Sequence, residues 1–165
     1  MEGVSDTDRR DQSSGMAVAG YDEFVAGRRR DLERALVARY GLDVGLDAAA
    51  EALAYAWAEW PRVSEMDNPV GYLFRVGQTH AGRRFRSRRT VDLPRHTSAP
   101  EATSTRLHDA LLRLKPEQRA AVILVHSHRY SYDEAAAMLD MPVSTLKNHL
   151  NRGLALLRRH METIR

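Results

Sequence analysis

The apolar residues before Gly41 recur at helical spacing. They fall at Tyr21, Phe24, Val25, Leu32, Leu36, Val37 and Tyr40. Residues three, four or seven apart share one side of a helix, so this pattern predicts a helix with one gap at the arginine triplet 28–30. Gly41 is its predicted C-terminal stop. Residues 1–19 are polar, lack such a period and are predicted to form a disordered tail.

Two further helices are predicted before residue 90. Asp47 is suited to cap a helix that Pro61 would end. Asn68 and Pro69 mark the start of the next helix, because a capping amide is followed by proline in the first turn. That helix runs into the arginine-rich segment 83–89.

The aromatic residues of these helices could fill the core or stack on bases. Trp57 and Phe74 stand at helical spacing and are predicted to be core residues. For Trp60 and Tyr72 the spacing leaves both interpretations open.

Residues 90–104 contain prolines, threonines and serines without a period and are predicted to be a linker. A second helical block follows, in which Pro116 opens a helix. No strand or repeat pattern occurs anywhere. We therefore predict an all-α fold with two small helical domains, residues 20–89 and 105–165, joined by a flexible linker.

The second block contains the strongest pattern in the chain, over residues 131–157. Ser131 and Glu134 match a capping box, in which each side chain bonds the backbone amide of the other. A turn at Asp140 follows, where the backbone is expected to reach positive φ, a region that aspartate tolerates well. A basic helix then runs to about Met161, and the whole predicts a helix-turn-helix.

Rotation by 100° per residue divides that last helix into two faces. The apolar face contains Val143, Leu146, Leu150, Gly153 and Leu157. The polar face contains Ser144, Thr145, Asn148, Asn151 and Arg152, flanked by Lys147 and His149. Hydroxyls, amides and a guanidinium suit base edges and phosphates in a major groove. The competing interpretation is an ordinary helical hairpin with a solvated face.

The charge distribution also favours a polyanionic partner. The formal net charge is only +3, but residues 69–89 hold six arginines and no acidic residue. Residues 142–165 hold five lysines and arginines against the single acid Glu162. Two basic segments on an otherwise acidic chain predict two contacts with nucleic acid, since phosphate binding requires clustered cations. The competing interpretation is that the two segments are solvent-exposed helix ends, which would carry the same number of charged residues.

Other functions are disfavoured by what the sequence lacks. It has no cysteine, no glycine-rich phosphate loop and no nucleophile motif, so we predict no catalytic residues, no cofactor and no enzyme activity. His126 and His128 diverge at a spacing of two on a helix, so no metal site is predicted. No apolar run approaches the roughly 18 residues of a membrane span, and the N-terminus has no apolar signal region. These features predict a cytoplasmic protein without membrane contact.

Both blocks, in this order, resemble a bacterial extracytoplasmic-function-type RNA polymerase sigma factor. The resemblance covers roughly residues 21–89 and 105–160. Its most specific stretches are Leu114-Lys-Pro-Glu-Gln-Arg119, Ser131-Tyr-Asp-Glu-Ala-Ala-Ala-Met-Leu139, Met141-Pro-Val-Ser-Thr-Leu-Lys147 and Leu150-Asn-Arg152. In the first block the matching pieces are residues 47–57 and 68–75, followed by the arginines.

The resemblance implies promoter-directed transcription initiation, with core RNA polymerase (its β and β′ subunits), promoter DNA and an anti-sigma factor as partners. Asp47 and Glu51 would lie on the polymerase-binding surface, and residues 61–67 would form the loop that reads the −10 element. The implied −10 DNA-binding residues are Tyr72, Arg75, Arg83, Arg84 and Arg86. The implied −35 DNA-binding residues are Ser144, Thr145, Lys147, Asn148, Asn151 and Arg152.

Four positions of the first block depart from the family pattern. Ala50 stands where glutamine is usual, Tyr72 replaces tryptophan, Thr79 replaces asparagine and Arg83 replaces aspartate. They keep two other hypotheses open. One is a sigma-like helix-turn-helix regulator that does not initiate transcription, and the other is a decoy that titrates an inhibitor.

Overall fold

The computed structural model describes the backbone of residues 6–85 and 101–162 and the side chains of residues 18–83 and 106–162. All regular structure in these ranges is helical, which confirms the all-α prediction. The helices are α1 (Asp6–Tyr40), α2 (Leu42–Ala58), α3 (Trp60–Val63), α4 (Pro69–Phe85), α5 (Glu101–Leu112), α6 (Pro116–Val122), α7 (Tyr132–Met138) and α8 (Val143–Glu162). A π-helical turn, Ile123–Ser127, continues α6.

Helix α1 is longer than its apolar pattern predicts. Residues 6–19 are helical where the sequence predicted a disordered tail. The chain has no proline before Pro61, so nothing in the covalent structure interrupts the helix there. Gly41 ends the helix at a φ of 87°, as expected of a C-terminal glycine.

Helix α2 begins earlier than predicted, at Leu42 rather than after Asp47. Gly41 makes the reversal between α1 and α2, so Asp47 lies within the helix and caps nothing at its start. The two helices approach closely at Gly45, where an added Cβ would lie 2.5 Å from the Cα of Val37. The cap predicted for α4 is confirmed, because the amide of Gly71 donates to Oδ1 of Asn68 at 3.0 Å.

We call helices α1–α4 the first lobe. Its core holds Leu32, Leu36, Val63, Leu73 and Phe74, all fully buried. The prediction that Phe74 is a core residue is thus confirmed, whereas the same prediction for Trp57 is wrong. Trp57 is 50% exposed and lies edge-on against Tyr21. Of the two tryptophans, it is Trp60 that is buried.

We call helices α5–α8 the second lobe. Helix α5 begins at Glu101, so the last four residues of the predicted linker are helical; residues 86–100 lie outside the described ranges. Pro116 opens α6, and the capping box of Ser131 and Glu134 starts α7, both as predicted. Asp140 has a φ of 50° in the turn between α7 and α8, which completes the predicted helix-turn-helix.

The buried residues of the two lobes form one continuous cluster. At its centre Arg119 of α6 is only 2% exposed. Its guanidinium donates to the carbonyls of Ala38 at 3.3 Å and Arg39 at 2.6 Å, which the last turn of α1 leaves without helical partners. A cation at a helix C-terminus also complements the helix dipole. The second lobe therefore caps a helix of the first.

Candidate nucleic-acid interface

The polar face of α8 is turned towards solvent. Leu146, Leu150 and Leu157 are buried on the opposite side of the helix. Of the six residues predicted to read the −35 element, Ser144, Lys147, Asn148, Asn151 and Arg152 are exposed, and Thr145 is half-buried. The structure thus brings all six together on one accessible helix face.

Helix α7 holds this face in a fixed orientation. The hydroxyl of Ser131 accepts from the amide of Glu134 at 3.2 Å, and the carboxylate of Glu134 accepts from the amide of Ser131 at 2.8 Å. These hydrogen bonds lower the pKa of Glu134. Lys147 lies 5.4 Å above the ring of Tyr132, so the first turn of α8 is tied to the start of α7.

A second cationic surface lies where α2, α3 and α4 meet. The phenol oxygens of Tyr55 and Tyr72 are 3.0 Å apart, and Arg62 donates to both. Arg62 and Arg75 lie 5.7 and 6.0 Å from the ring centroid of Tyr72. We call these four residues the tyrosine–arginine cluster. It presents aromatic faces and exposed guanidinium groups, the chemistry that binds unstacked bases and their phosphates.

The cluster shifts the acidity of its two phenols in opposite directions. The hydrogen bond with Tyr55, together with Arg62, lowers the pKa of Tyr72. The hydrogen bond with Tyr72 raises the pKa of Tyr55.

Sequence reasoning assigned Tyr72 and Arg75 to this surface but missed Tyr55 and Arg62. Arg62 falls within residues 61–67, which the resemblance implied to be the −10-reading loop, although residues 61–63 belong to helix α3. Tyr55 lies on another helix, seventeen residues before Tyr72, and no local pattern relates the two.

Arg83 lies on a different surface from the tyrosine–arginine cluster. It lines a cavity of about 210 Å³ with Asp47, Glu51 and His80 between α2 and α4. Asp47 and Glu51 are both exposed and lie one turn apart on α2, so they share a face. The side chain of Arg84 and the whole of Arg86 lie outside the described residues. The predicted −10 residues therefore do not form one site among the described side chains.

Neither metal binding nor membrane insertion is indicated in the part of the chain that the structure describes. No cluster of three or more potential metal ligands occurs there. None of the described helices has the length and apolar character that crossing a bilayer requires. The fold and the exposed face of α8 define a helix-turn-helix protein.

Comparison with known proteins identifies the class more closely. Residues 104–157 match the family model "Sigma-70, region 4". The RNA polymerase sigma-E factor of Streptomyces antibioticus is 33% identical over 127 residues, which are 71% of this chain and 70% of that protein. The sigma-E factor of Streptomyces avermitilis is 31% identical over 159 residues, 88% of this chain and 87% of that protein.

Two solved structures share the fold. The sigma factor RpoE of Bartonella quintana, in complex with the anti-sigma factor NepR, has a TM-score of 0.61 at 19% identity, covering 88% of this chain and 98% of that one. CnrH, in complex with the cytosolic domain of CnrY, has a TM-score of 0.58 at 22% identity and covers 90% and 94%. The chain belongs to the RNA polymerase sigma factor family, in its extracytoplasmic-function branch.

Proposed function

We propose that this chain is the promoter-recognition subunit of a bacterial RNA polymerase, with no enzyme activity of its own, acting in the cytoplasm. The observation that carries the proposal is the exposed polar face of α8, set on a capped helix-turn-helix within the region that matches sigma-70 region 4. A helix of this kind reads base edges in the major groove.

The remaining roles divide between two surfaces of the first lobe. Asp47 and Glu51 would bind the β′ subunit, since both carboxylates project from the same side of α2. The tyrosine–arginine cluster, with Tyr72 and Arg75, would bind the separated −10 strand by stacking and phosphate contacts. Arg83, Arg84 and Arg86 would contact promoter DNA apart from this cluster, since Arg83 lies beside Asp47 and Glu51.

An apolar groove between the lobes supports a protein partner as well. It has a volume of about 420 Å³. It is lined by leucines of α5 and α8, by Val122 of α6, by Ile123 of the π-helical turn, and by Val37 and Ala38 at the end of α1. Among the solved structures of similar fold, RpoE of Bartonella quintana is in complex with the anti-sigma factor NepR, and CnrH is in complex with the cytosolic domain of CnrY. We therefore propose that this sigma factor also binds an anti-sigma factor.

The decisive experiment is run-off transcription with purified core polymerase and promoters from the same genome. Addition of the chain should give promoter-specific transcripts from a core enzyme that otherwise starts non-specifically. Absence of any specific transcript across such promoters would contradict the proposal.

A binding measurement tests the polymerase surface separately. The double substitution D47A/E51A should weaken core binding and transcription while leaving −35 duplex binding unchanged, because α2 lies away from α8. Glu23→Ala, which removes an exposed acid of α1 outside all the proposed surfaces, is the control. DNA binding by wild-type protein without any core binding would favour the regulator hypothesis, which the exposed Ala50 on α2 motivates.

A further inference from the structure

Arg129 has a backbone conformation that is unusual for a residue with a long side chain. It lies in the loop between the π-helical turn and α7, and its φ is 62°. This left-handed geometry suits the glycine that commonly follows a helix and strains most other residues. Asp140, the other described non-glycine residue with positive φ, is of a type that tolerates the region, whereas arginine is not. A function of the Arg129 side chain would explain why the strain persists.

The backbone around Arg129 is held in place by hydrogen bonds within the second lobe. The amide of His128 donates to the carbonyl of Ile123 at 3.0 Å, and the amide of Tyr130 donates to the carbonyl of Leu124 at 3.1 Å. The position of Arg129 relative to α7 and α8 is therefore set by the second lobe itself.

The side chain of Arg129 makes no contact within the described protein that would account for the strain. It is exposed, and no carboxylate of the described residues forms an ion pair with it. The nearest acids along the chain are Asp133 and Glu134, and the carboxylate of Glu134 binds the amide of Ser131 instead. An exposed guanidinium in a strained position indicates a partner outside the protein.

Arg129 lies near the polar face of α8. Tyr132, the first residue of α7, is exposed, and its ring lies 5.4 Å from Nζ of Lys147 on that face. Arg129 comes three residues earlier, so its Cα lies within about 11 Å of the Cα of Tyr132. In helix-turn-helix proteins the recognition helix enters the major groove and the first helix crosses the phosphate backbone. With α8 in a groove about 12 Å wide, a cation just before α7 is placed beside that backbone.

We infer that Arg129 binds a backbone phosphate of the promoter duplex at the edge of the −35 element, and that this contact accounts for an arginine in a conformation that suits glycine. The inference rests on the proposed function, since it takes α8 to read the duplex. The N–H donors of a guanidinium match the spacing of phosphate oxygens. Such a contact adds affinity and orients the protein on DNA of any sequence, because a phosphate carries no sequence information.

Three substitutions at Arg129 separate its charge from its conformation. Arg129→Gly removes the cation and relieves the strain. Arg129→Asn also removes the cation but keeps a side chain that tolerates positive φ. Arg129→Lys keeps both the cation and the strain. The matched control is Arg106→Gln, which removes an exposed cation of α5 in the same lobe; α5 lies beside Leu154 and Leu157, in the half of α8 that follows the predicted DNA-binding residues.

The DNA affinity of the full chain is measured by fluorescence anisotropy at several salt concentrations. The probes are two labelled duplexes of equal length, one carrying the −35 element and one with its sequence scrambled. R129G and R129N should each weaken binding to both duplexes about three- to tenfold and reduce the salt slope by about one unit. R129K and R106Q should stay within about twofold of wild type on both probes. In urea unfolding, R129G should have a higher midpoint than wild type, whereas R129K should not.

The inference is overturned if R129G and R129N bind both duplexes as wild type does. Loss of affinity in R129G alone would assign the effect to loop flexibility, an equal loss in R129K would assign it to loop geometry, and an equal loss in R106Q would assign it to net charge. Each of these results also contradicts the phosphate contact but leaves the role of α8 intact, provided that the double variant N148A/R152A binds weakly. Failure of the wild type to bind either duplex would instead remove the proposed function.

Discussion

The two surfaces that we propose to bind DNA are built in different ways. The −35 surface is one face of one helix, oriented by a capping box and a turn within its own lobe. The tyrosine–arginine cluster is assembled from three helices, and Arg75 in it is already paired with the other lobe. A surface that binds duplex DNA can be rigid and permanently exposed. A surface that binds single-stranded DNA is needed only after the duplex opens, so the ion pair between Arg75 and Asp140 does not interfere with binding before that step.

The largest expected loss of DNA affinity comes from substitutions on the polar face of α8. The double substitution N148A/R152A should weaken −35 duplex binding by about 2–4 kcal/mol, because each lost base or phosphate contact is worth about 1–3 kcal/mol. Fluorescence anisotropy at several salt concentrations measures both the affinity and its salt slope.

Arg158→Ala is the comparison for this prediction, since it removes one exposed cation further along the same side of α8 and beyond the six predicted residues, where a phosphate contact is expected. It should reduce the salt slope by about one unit and leave sequence preference intact. If the double variant behaves like R158A, the polar face of α8 does not read DNA.

The next prediction concerns Arg119, which joins the second lobe to the end of α1 in the first lobe. Arg119→Met should lower the free energy of unfolding by about 2–4 kcal/mol, since it leaves the carbonyls of Ala38 and Arg39 buried without a donor. Burial already lowers the pKa of Arg119 to about 10, so the charge is retained at neutral pH. Urea unfolding measures the loss, with exposed Arg113→Met as control. Equal midpoints would show that the guanidinium contributes nothing net.

Whether the sequence could predict a feature depends on how far apart its interacting residues lie along the chain. Ser131, Glu134 and Asp140 act within a few residues of their partners, so their roles are visible as a local pattern. Arg119 bonds to Ala38, 81 residues away, and Arg75 pairs with Asp140 on another lobe; no periodicity relates such residues. The start of α2 was misplaced for a similar reason. Asp47 has the chemistry of a cap, but the reversal at Gly41 had already started the helix.

A smaller effect is expected at the strand-binding surface. Tyr72→Ala should weaken binding of a −10 single strand by about 1–3 kcal/mol, the value of one base stacked on an aromatic ring. Tyr72→Phe keeps the ring and should retain most of that affinity. The comparison is made by anisotropy with single-stranded and duplex DNA, and duplex −35 binding should be equal in both variants. A loss in Y72F as large as in Y72A would assign the role to the hydroxyl rather than to stacking.

The smallest effect is a shift in pH dependence. The hydrogen bond with Tyr55 lowers the pKa of Tyr72, so the Tyr72 phenolate forms at a lower pH than that of an ordinary tyrosine. A phenolate repels strand phosphates, so strand affinity in the wild type should fall as pH rises through this lowered pKa. Tyr55→Phe removes this hydrogen bond, so the pKa of Tyr72 should rise and the fall in strand affinity should move to higher pH. Strand affinity measured from roughly pH 8 to 11 should follow this order, and Y72F should lack the contribution of the Tyr72 phenolate to the fall. A coincident fall in wild type and Y55F would mean that the phenols do not act on each other when DNA binds.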